Sequence, residues 1–245
     1  MSNSVTVVAV DGPAASGKST VSRAAAEILG FNYVDTGAMY RSITWKALED
    51  KVDVDDTIAV IALMHRIQIS FELVNGEVRM LIDGVYPGAK IRQPHVAEKV
   101  STIAAIPEVR QVLVQHQRSL TRFGSLVMEG RDIGTVVFPD TPHKFYLEAK
   151  PDVRALRRKR DLEAMQIQAT QEGVAQSIQQ RDRKDSGRSV SPLQIALGAT
   201  VVDNSNLTAD ETARIIVDHI RRQGLRRGSA TEVRDPNPEG RKKSE

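Results

Sequence analysis

The chain has 245 residues, a formal net charge of +3, 40% hydrophobic residues and no cysteine. That length suits one large domain or one domain with an insertion, and the missing thiols exclude disulfides, thiolate metal sites and a cysteine nucleophile. No apolar run reaches 18 residues and no charged-then-apolar leader opens the chain, so neither a membrane span nor a signal peptide is expected.

The first element is an apolar strand, Val5 to Val10, and a helix is predicted from Lys18 to Leu29. Between them stands Gly12-Pro13-Ala14-Ala15-Ser16-Gly17-Lys18-Ser19, followed by Thr20. Strand, glycine-bearing loop and helix form the context a phosphate-binding loop requires. Gly12 and Gly17 free the backbone to curl so that successive N–H groups face phosphate oxygens, and the helix dipole adds positive potential there. Lys18 can reach the β- and γ-phosphates, and the Ser19 hydroxyl can ligate Mg²⁺. This segment predicts binding of a nucleoside triphosphate.

Gly30 closes the helix, and Phe31 to Val34 reads as a second strand ending in Asp35-Thr36-Gly37-Ala38-Met39-Tyr40-Arg41. Helices follow over 38–50 and 57–64. Ile67, Ile69, Phe71 and Leu73 then alternate with polar residues, as do Val78, Met80 and Ile82, around Asn75-Gly76, a two-residue hairpin signal. With a third strand within Val85 to Arg92, this predicts a small antiparallel β insert over about 66–93. Helices over 94–105 and 107–122 lead to a strand at Ser125 to Met128. That strand ends in Glu129-Gly130-Arg131-Asp132-Ile133-Gly134-Thr135.

Lys144 to Leu147 is the next strand. A basic helix after Pro151 carries Arg154, Arg157, Arg158, Lys159 and Arg160, and the segment 151–168 reads as a closing lid. Arg154, Arg157 and Arg158 share one helical face. Arg181-Asp182-Arg183-Lys184-Asp185 and Arg188 follow. Thr200 to Val202 is the last strand, and a helix over 209–220 is capped by Thr208 with Glu211 three residues on. Short apolar strands separated by helices predict an α/β fold, a five-stranded parallel sheet flanked by helices, with ligands at the strand carboxyl ends. Residues 1–224 make the domain. Residues 221–245 hold eight Lys or Arg against four Asp or Glu, so the rest of the chain has a net charge of −1 and the basic character belongs to the tail. The tail, 225–245, is expected to be disordered. The five histidines show no ligand spacing.

Arginines that follow different strands into one cleft suit a second, phosphate-bearing substrate, because guanidinium grips phosphate bidentately. At these motifs, with Gly130-Arg131-Asp132-Ile133-Gly134-Thr135-Val136-Val137-Phe138-Pro139 the longest, the chain resembles the bacterial cytidylate kinases of the P-loop nucleoside monophosphate kinase superfamily. The resemblance runs from about Val5 to Ile220, and the β insert is typical of it.

The resemblance implies a P-loop kinase fold and transfer of the γ-phosphoryl group of MgATP to CMP or dCMP, in pyrimidine nucleotide metabolism in the cytoplasm. It implies ATP contacts from Gly12 to Thr20. It places Arg41 and Arg131 on the acceptor phosphate, and Arg181 and Asp185 on the pentose with Thr36 nearby. Ser101, Arg110, Asp132 and Arg188 then surround the cytosine, with Arg188 able to touch either base or phosphate. Lys18, Arg131, Arg157 and Arg158 are the catalytic residues it implies. A monomer with small-molecule partners, no membrane and no required nucleic acid is expected, with at most weak anionic contacts through the tail. The alternatives are a P-loop kinase acting on another nucleotide or a sugar acid, and a nucleic-acid-associated P-loop ATPase using the basic tail. The near-neutral body and 4% aromatic content weigh against the last of these.

Overall fold

In a computed structural model that describes residues 5–229, five parallel strands form the centre of the molecule. They are β1 (Val7–Asp11), β2 (Asn32–Asp35), β5 (Leu126–Gly130), β6 (His143–Glu148) and β7 (Thr200–Asp203). β1 is wholly buried and pairs in parallel with β5 on one side and β6 on the other. Its run of Val-Val-Ala-Val fits a strand covered on both faces.

The hairpin of β3 (Ile69–Val74) and β4 (Glu77–Ile82) turns at Asn75 (φ 50°) and Gly76 (φ 75°), the paired positive φ values of a type I′ turn. Two expectations are corrected here. The sheet has seven strands rather than five, because β4 runs parallel to β2 through Tyr33 and Glu77 and adds the insert's hairpin to its edge, in the order β3-β4-β2-β5-β1-β6-β7. Without that hairpin the outer edge of β2 would carry unpaired backbone groups. The third insert strand does not form beyond one bridge between Ile82 and Val85. Pro87 brings no N–H to a ladder, Gly88 takes φ 57°, and Gly88–Arg92 winds into a 3₁₀ turn.

The helices are α1 (Lys18–Leu29), α2 (Thr36–Glu49), α3 (Thr57–Arg66), α4 (Pro94–Ile103), α5 (Pro107–Ser119), α6 (Pro151–Ala164), α7 (Gln171–Ser186) and α8 (Ala209–Ser229). Asp35 caps α2 through the Ala38 amide, so that helix starts at Thr36 rather than Ala38. Pro94, Pro107 and Pro151 open α4, α5 and α6 where a missing N–H costs nothing. Thr208 and Glu211 bond reciprocally ahead of α8, the expected capping box. α8 runs on past Ile220 to Ser229, so the first residues of the expected disordered tail are helical. The rest of the tail lies outside the described residues.

One apolar cluster joins β1, β6 and β7 to α1 and α8, including Val8, Val10, Phe145, Leu147, Ile216 and Val217. Another packs α2, α3, α4 and α5 against the hairpin through Ile43, Leu63, Ile82, Ile103 and Leu113. Between these two blocks the carboxyl ends of β1, β2 and β5 stand in register, with Asp11 opposite Gly130 and Asp35 opposite Glu129.

Candidate active site

The loop after β1 curls tightly because its glycines leave no alternative. A Cβ on Gly12 would lie 2.1 Å from the Leu147 carbonyl oxygen on β6, and Gly17 holds φ 90° at the start of α1. Lys18 is buried and donates to the Pro13 carbonyl at 2.7 Å and to the Ser16 hydroxyl at 3.3 Å. Burial pulls its pKa down to about 7, with repulsion from Arg131 adding to the effect and Glu129 opposing it. A phosphate beside the ammonium would reverse both pressures.

Four side chains brace the loop from outside. The Asn204 amide donates to the Ser16 carbonyl at 2.8 Å, and Arg157 donates to the Oδ1 of Asn204 at 2.9 Å and to its carbonyl at 2.8 Å. On the other flank the Ala14 N–H donates to Asp182 at 3.0 Å. Arg154 donates to both the Ala14 carbonyl and Asp182. The loop is therefore tied to α6, to α7 and to the turn after β7. Asp182→Ala leaves the Ala14 amide unpaired and Arg154 with only the Ala14 carbonyl, a change expected to cost about 1–3 kcal/mol. Denaturant unfolding should show that loss together with weaker nucleoside triphosphate binding; unchanged values in both would contradict the brace.

Across the cleft the carboxylates are already paired. Asp35 accepts from Arg41 at 2.7 Å; burial would raise its pKa, yet Arg41 and the Ala38 amide hold it below the usual carboxylate range. The Thr36 hydroxyl donates to the Glu129 carbonyl at 2.7 Å. Glu129 is buried and accepts from the Tyr33 hydroxyl at 2.6 Å. Burial, then the Asp35 charge, push its pKa up.

Asp185, only 1% exposed, accepts from Arg131 at 2.9 Å and also from Arg188. Burial acts to raise its pKa, but Arg131, Arg188 and Arg181 together hold it low. Arg181 is pulled down to about 10 by burial and then by Arg131, and its Nε has no hydrogen-bond partner among the described residues. Arg110 donates to Asp132 and, at 3.0 Å, to the Ala104 carbonyl, with its guanidinium 5.2 Å from the Tyr40 ring centroid. Arg158 has its pKa lowered by burial first; Asp161 opposes, and the charges of Arg41 and Arg92 add to the lowering.

These groups line one cleft of about 1110 Å³, room for more than one drug-sized ligand. Every site residue singled out from the sequence lines it except Gly12 and Pro13, which belong to the loop's backbone frame. Ser101, on α4, shares the wall with Arg110. Of the basic cluster on α6, Arg154, Arg157 and Arg158 turn toward the cleft and its loop, whereas Lys159 pairs with Glu163 at 3.7 Å and Arg160 is exposed. Sequence reasoning missed Asp11, Asp182, Asn204 and Arg92. Asp11 did carry a signal, since it is a polar residue set at the end of a wholly buried strand.

The sequence model of the family described as cytidylate kinase matches residues 8–222. A cytidylate kinase of Caldanaerobacter subterraneus subsp. tengcongensis is 42% identical over 222 residues, covering 91% of this chain and 97% of that one. One of Desulforamulus reducens is 42% identical over 210 residues, covering 86% and 94%. One of Lactiplantibacillus plantarum is 43% identical over 209 residues, covering 85% and 92%. The match thus begins within β1 and ends within α8, taking in the phosphate loop and the whole opposing wall, and the chain belongs to the cytidylate kinase family.

Proposed function

We propose that this protein transfers the γ-phosphoryl group of ATP to CMP or dCMP, giving ADP and CDP or dCDP. The observation that carries the reading is a phosphate loop and a buried Arg110–Asp132 pair in one cleft, with Arg41, Arg131 and Arg181 between them. The loop amides and Lys18 hold the donor phosphates. Arg41 and Arg131 hold the acceptor phosphate, Arg181 and Asp185 the pentose beside Thr36, and Ser101, Arg110 and Asp132 the cytosine. The pairing of Arg188 with Asp185 favours a place for it beside the pentose and base.

The residues around Ser19 suit Mg²⁺, because its hydroxyl, the adjacent Glu129 carboxylate and the neighbouring Asp35 are all hard oxygen groups. Bound there with ATP, the ion would supply positive charge to the phosphate oxygens. Transfer passes through a loose, in-line transition state with charge spread over the moving group. The acceptor phosphate already carries its attacking oxygen as an anion, so this chain needs no general base. Its work is alignment and charge stabilisation by Lys18 and the arginines. Arg157 and Arg158, on α6, close over the transferred group in a lid that keeps water out.

Cytosine presents an amine donor beside the N3 acceptor, and uracil reverses both. Asp132 and Ser101 accept from the amine while Arg110 donates to the ring. With UMP those buried acceptors would face a carbonyl, so kcat/KM for UMP is expected to fall at least about 100-fold below that for CMP. Steady-state rates on both acceptors test this, and equal turnover of UMP would remove the base assignment. The same reading makes the protein a monomer of the cytoplasm acting in pyrimidine nucleotide metabolism, with no nucleic acid required. No helix among the described residues is long and apolar enough to cross a membrane.

A further inference from the structure

Asp11 ends the central strand, immediately before Gly12, and is 3% exposed. Its Oδ1 accepts the Ile133 N–H at 2.8 Å and its Oδ2 accepts the Gly134 N–H at 2.7 Å. Both oxygens thus accept from backbone of the loop after β5. Burial works against the charged form and raises its pKa to about 6, the two amides only partly offsetting this. A buried carboxylate is an expensive way to hold a loop, so what it holds matters.

The two amides open a wide helical turn over Ile133–Val137, in which the Phe138 N–H reaches back to the Ile133 carbonyl at 2.7 Å and the Val137 N–H to that of Asp132 at 3.2 Å. Amides at the start of such a turn have no partner within it, and Asp11 caps them from across the sheet. Arg118, on α5, grips the other end, donating to the Val136 carbonyl at 2.7 Å and the Val137 carbonyl at 2.9 Å. Just ahead of the capped amides come Arg131 and Asp132, whose side chains diverge to Asp185 and Arg110. Their backbone is pinned by the β1–β5 ladder at Gly130 on one side and by Asp11 on the other.

We propose that Asp11 is a positioning residue for phosphoryl transfer: it locks the loop carrying Arg131 and Asp132 to the residue from which the phosphate loop springs. The inference rests on the function proposed above. One side chain thus sets the spacing between donor grip and acceptor grip, on which in-line transfer depends. A carboxylate suits the task because both partners are donors; asparagine would turn its own NH₂ toward one of them.

The test is Asp11→Asn in the full chain, assayed with MgATP against CMP and UMP. The expected result is a fall of about ten- to a hundredfold in kcat/KM for CMP, the equivalent of one buried amide left unpaired. The preference for CMP over UMP should shrink while KM for ATP stays close to wild type, and the melting temperature should fall by a few degrees at most, because asparagine relieves the burial of a charged carboxylate as it leaves one amide unpaired. Arg118→Met, at an exposed position outside the cleft, loosens the same loop from its other end and should shift the same constants in the same direction by less. Unchanged CMP constants in Asp11→Asn would overturn the inference, as would a parallel loss in ATP and CMP constants, the mark of a merely structural residue. Wild-type protein that failed to phosphorylate CMP would overturn the proposed function and this inference together. Wild-type turnover matched by Asp11→Asn would overturn this inference alone.

Discussion

Lys18→Ala is expected to lower the rate of phosphoryl transfer by about 10³-fold or more while leaving the fold intact. The two halves of that expectation have separate causes. Lys18 is buried with its ammonium on the Pro13 carbonyl and the Ser16 hydroxyl, and the proposed function puts it beside the charge spread over the transferred group. Neither Arg157, bonded to Asn204, nor Arg131, bonded to Asp185, puts an ammonium on the Pro13 carbonyl and the Ser16 hydroxyl in its place. Stability should be spared because burial already disfavours the charged lysine, as its lowered pKa records. Alanine removes that burden and suits the first turn of α1. The checks are a rate under saturating ATP and CMP and a thermal melt. A near-normal rate would contradict the role given to the phosphate loop, and a collapsed melt would mean that Lys18 is structural.

Arg131→Ala should have the next largest effect, about a 10²- to 10³-fold loss in kcat/KM for CMP, with little change in ATP hydrolysis measured without acceptor. Arg131 carries two duties. It faces the acceptor phosphate in the proposed function, and it holds Asp185 through Nε at 2.9 Å. Its removal leaves Asp185 to Arg188 and Arg181 alone, so the pentose grip should loosen along with the phosphate grip. Arg131→Lys serves as the control: it keeps the charge and loses the planar fork, so only part of the activity should return. Equal losses with and without acceptor would instead place Arg131 on the donor.

The phosphate loop, the Asn75-Gly76 hairpin, the capping box before α8 and the five parallel strands were legible because each is written in adjacent residues. Turn chemistry, cap spacing and apolar runs are local signals. What escaped was held by contacts between distant parts of the chain. The hairpin joins the main sheet through the single pair Tyr33 and Glu77, which leaves no pattern in either strand. The loop braces pair side chains with distant backbone groups, Asp182 with the Ala14 amide and Asn204 with the Ser16 carbonyl. Asp11 bonded to Ile133 and Gly134 is of the same kind. Val85 to Arg92 is expected to add a third strand, but Pro87 and the positive φ of Gly88 turn it into a 3₁₀ segment. The arginines were legible as a set from their places after strands. Their partners were not: that Arg110 would meet Asp132, and Arg131 and Arg188 share Asp185, is set by where α5 and α7 pack.

The most direct test of the proposed function is a coupled assay of ADP release from MgATP with CMP, dCMP, UMP, AMP or no acceptor. Strong stimulation by CMP and dCMP, with UMP and AMP near the level without acceptor, is the predicted result. Stimulation by UMP or AMP equal to that by CMP, or by no nucleotide at all, would contradict it.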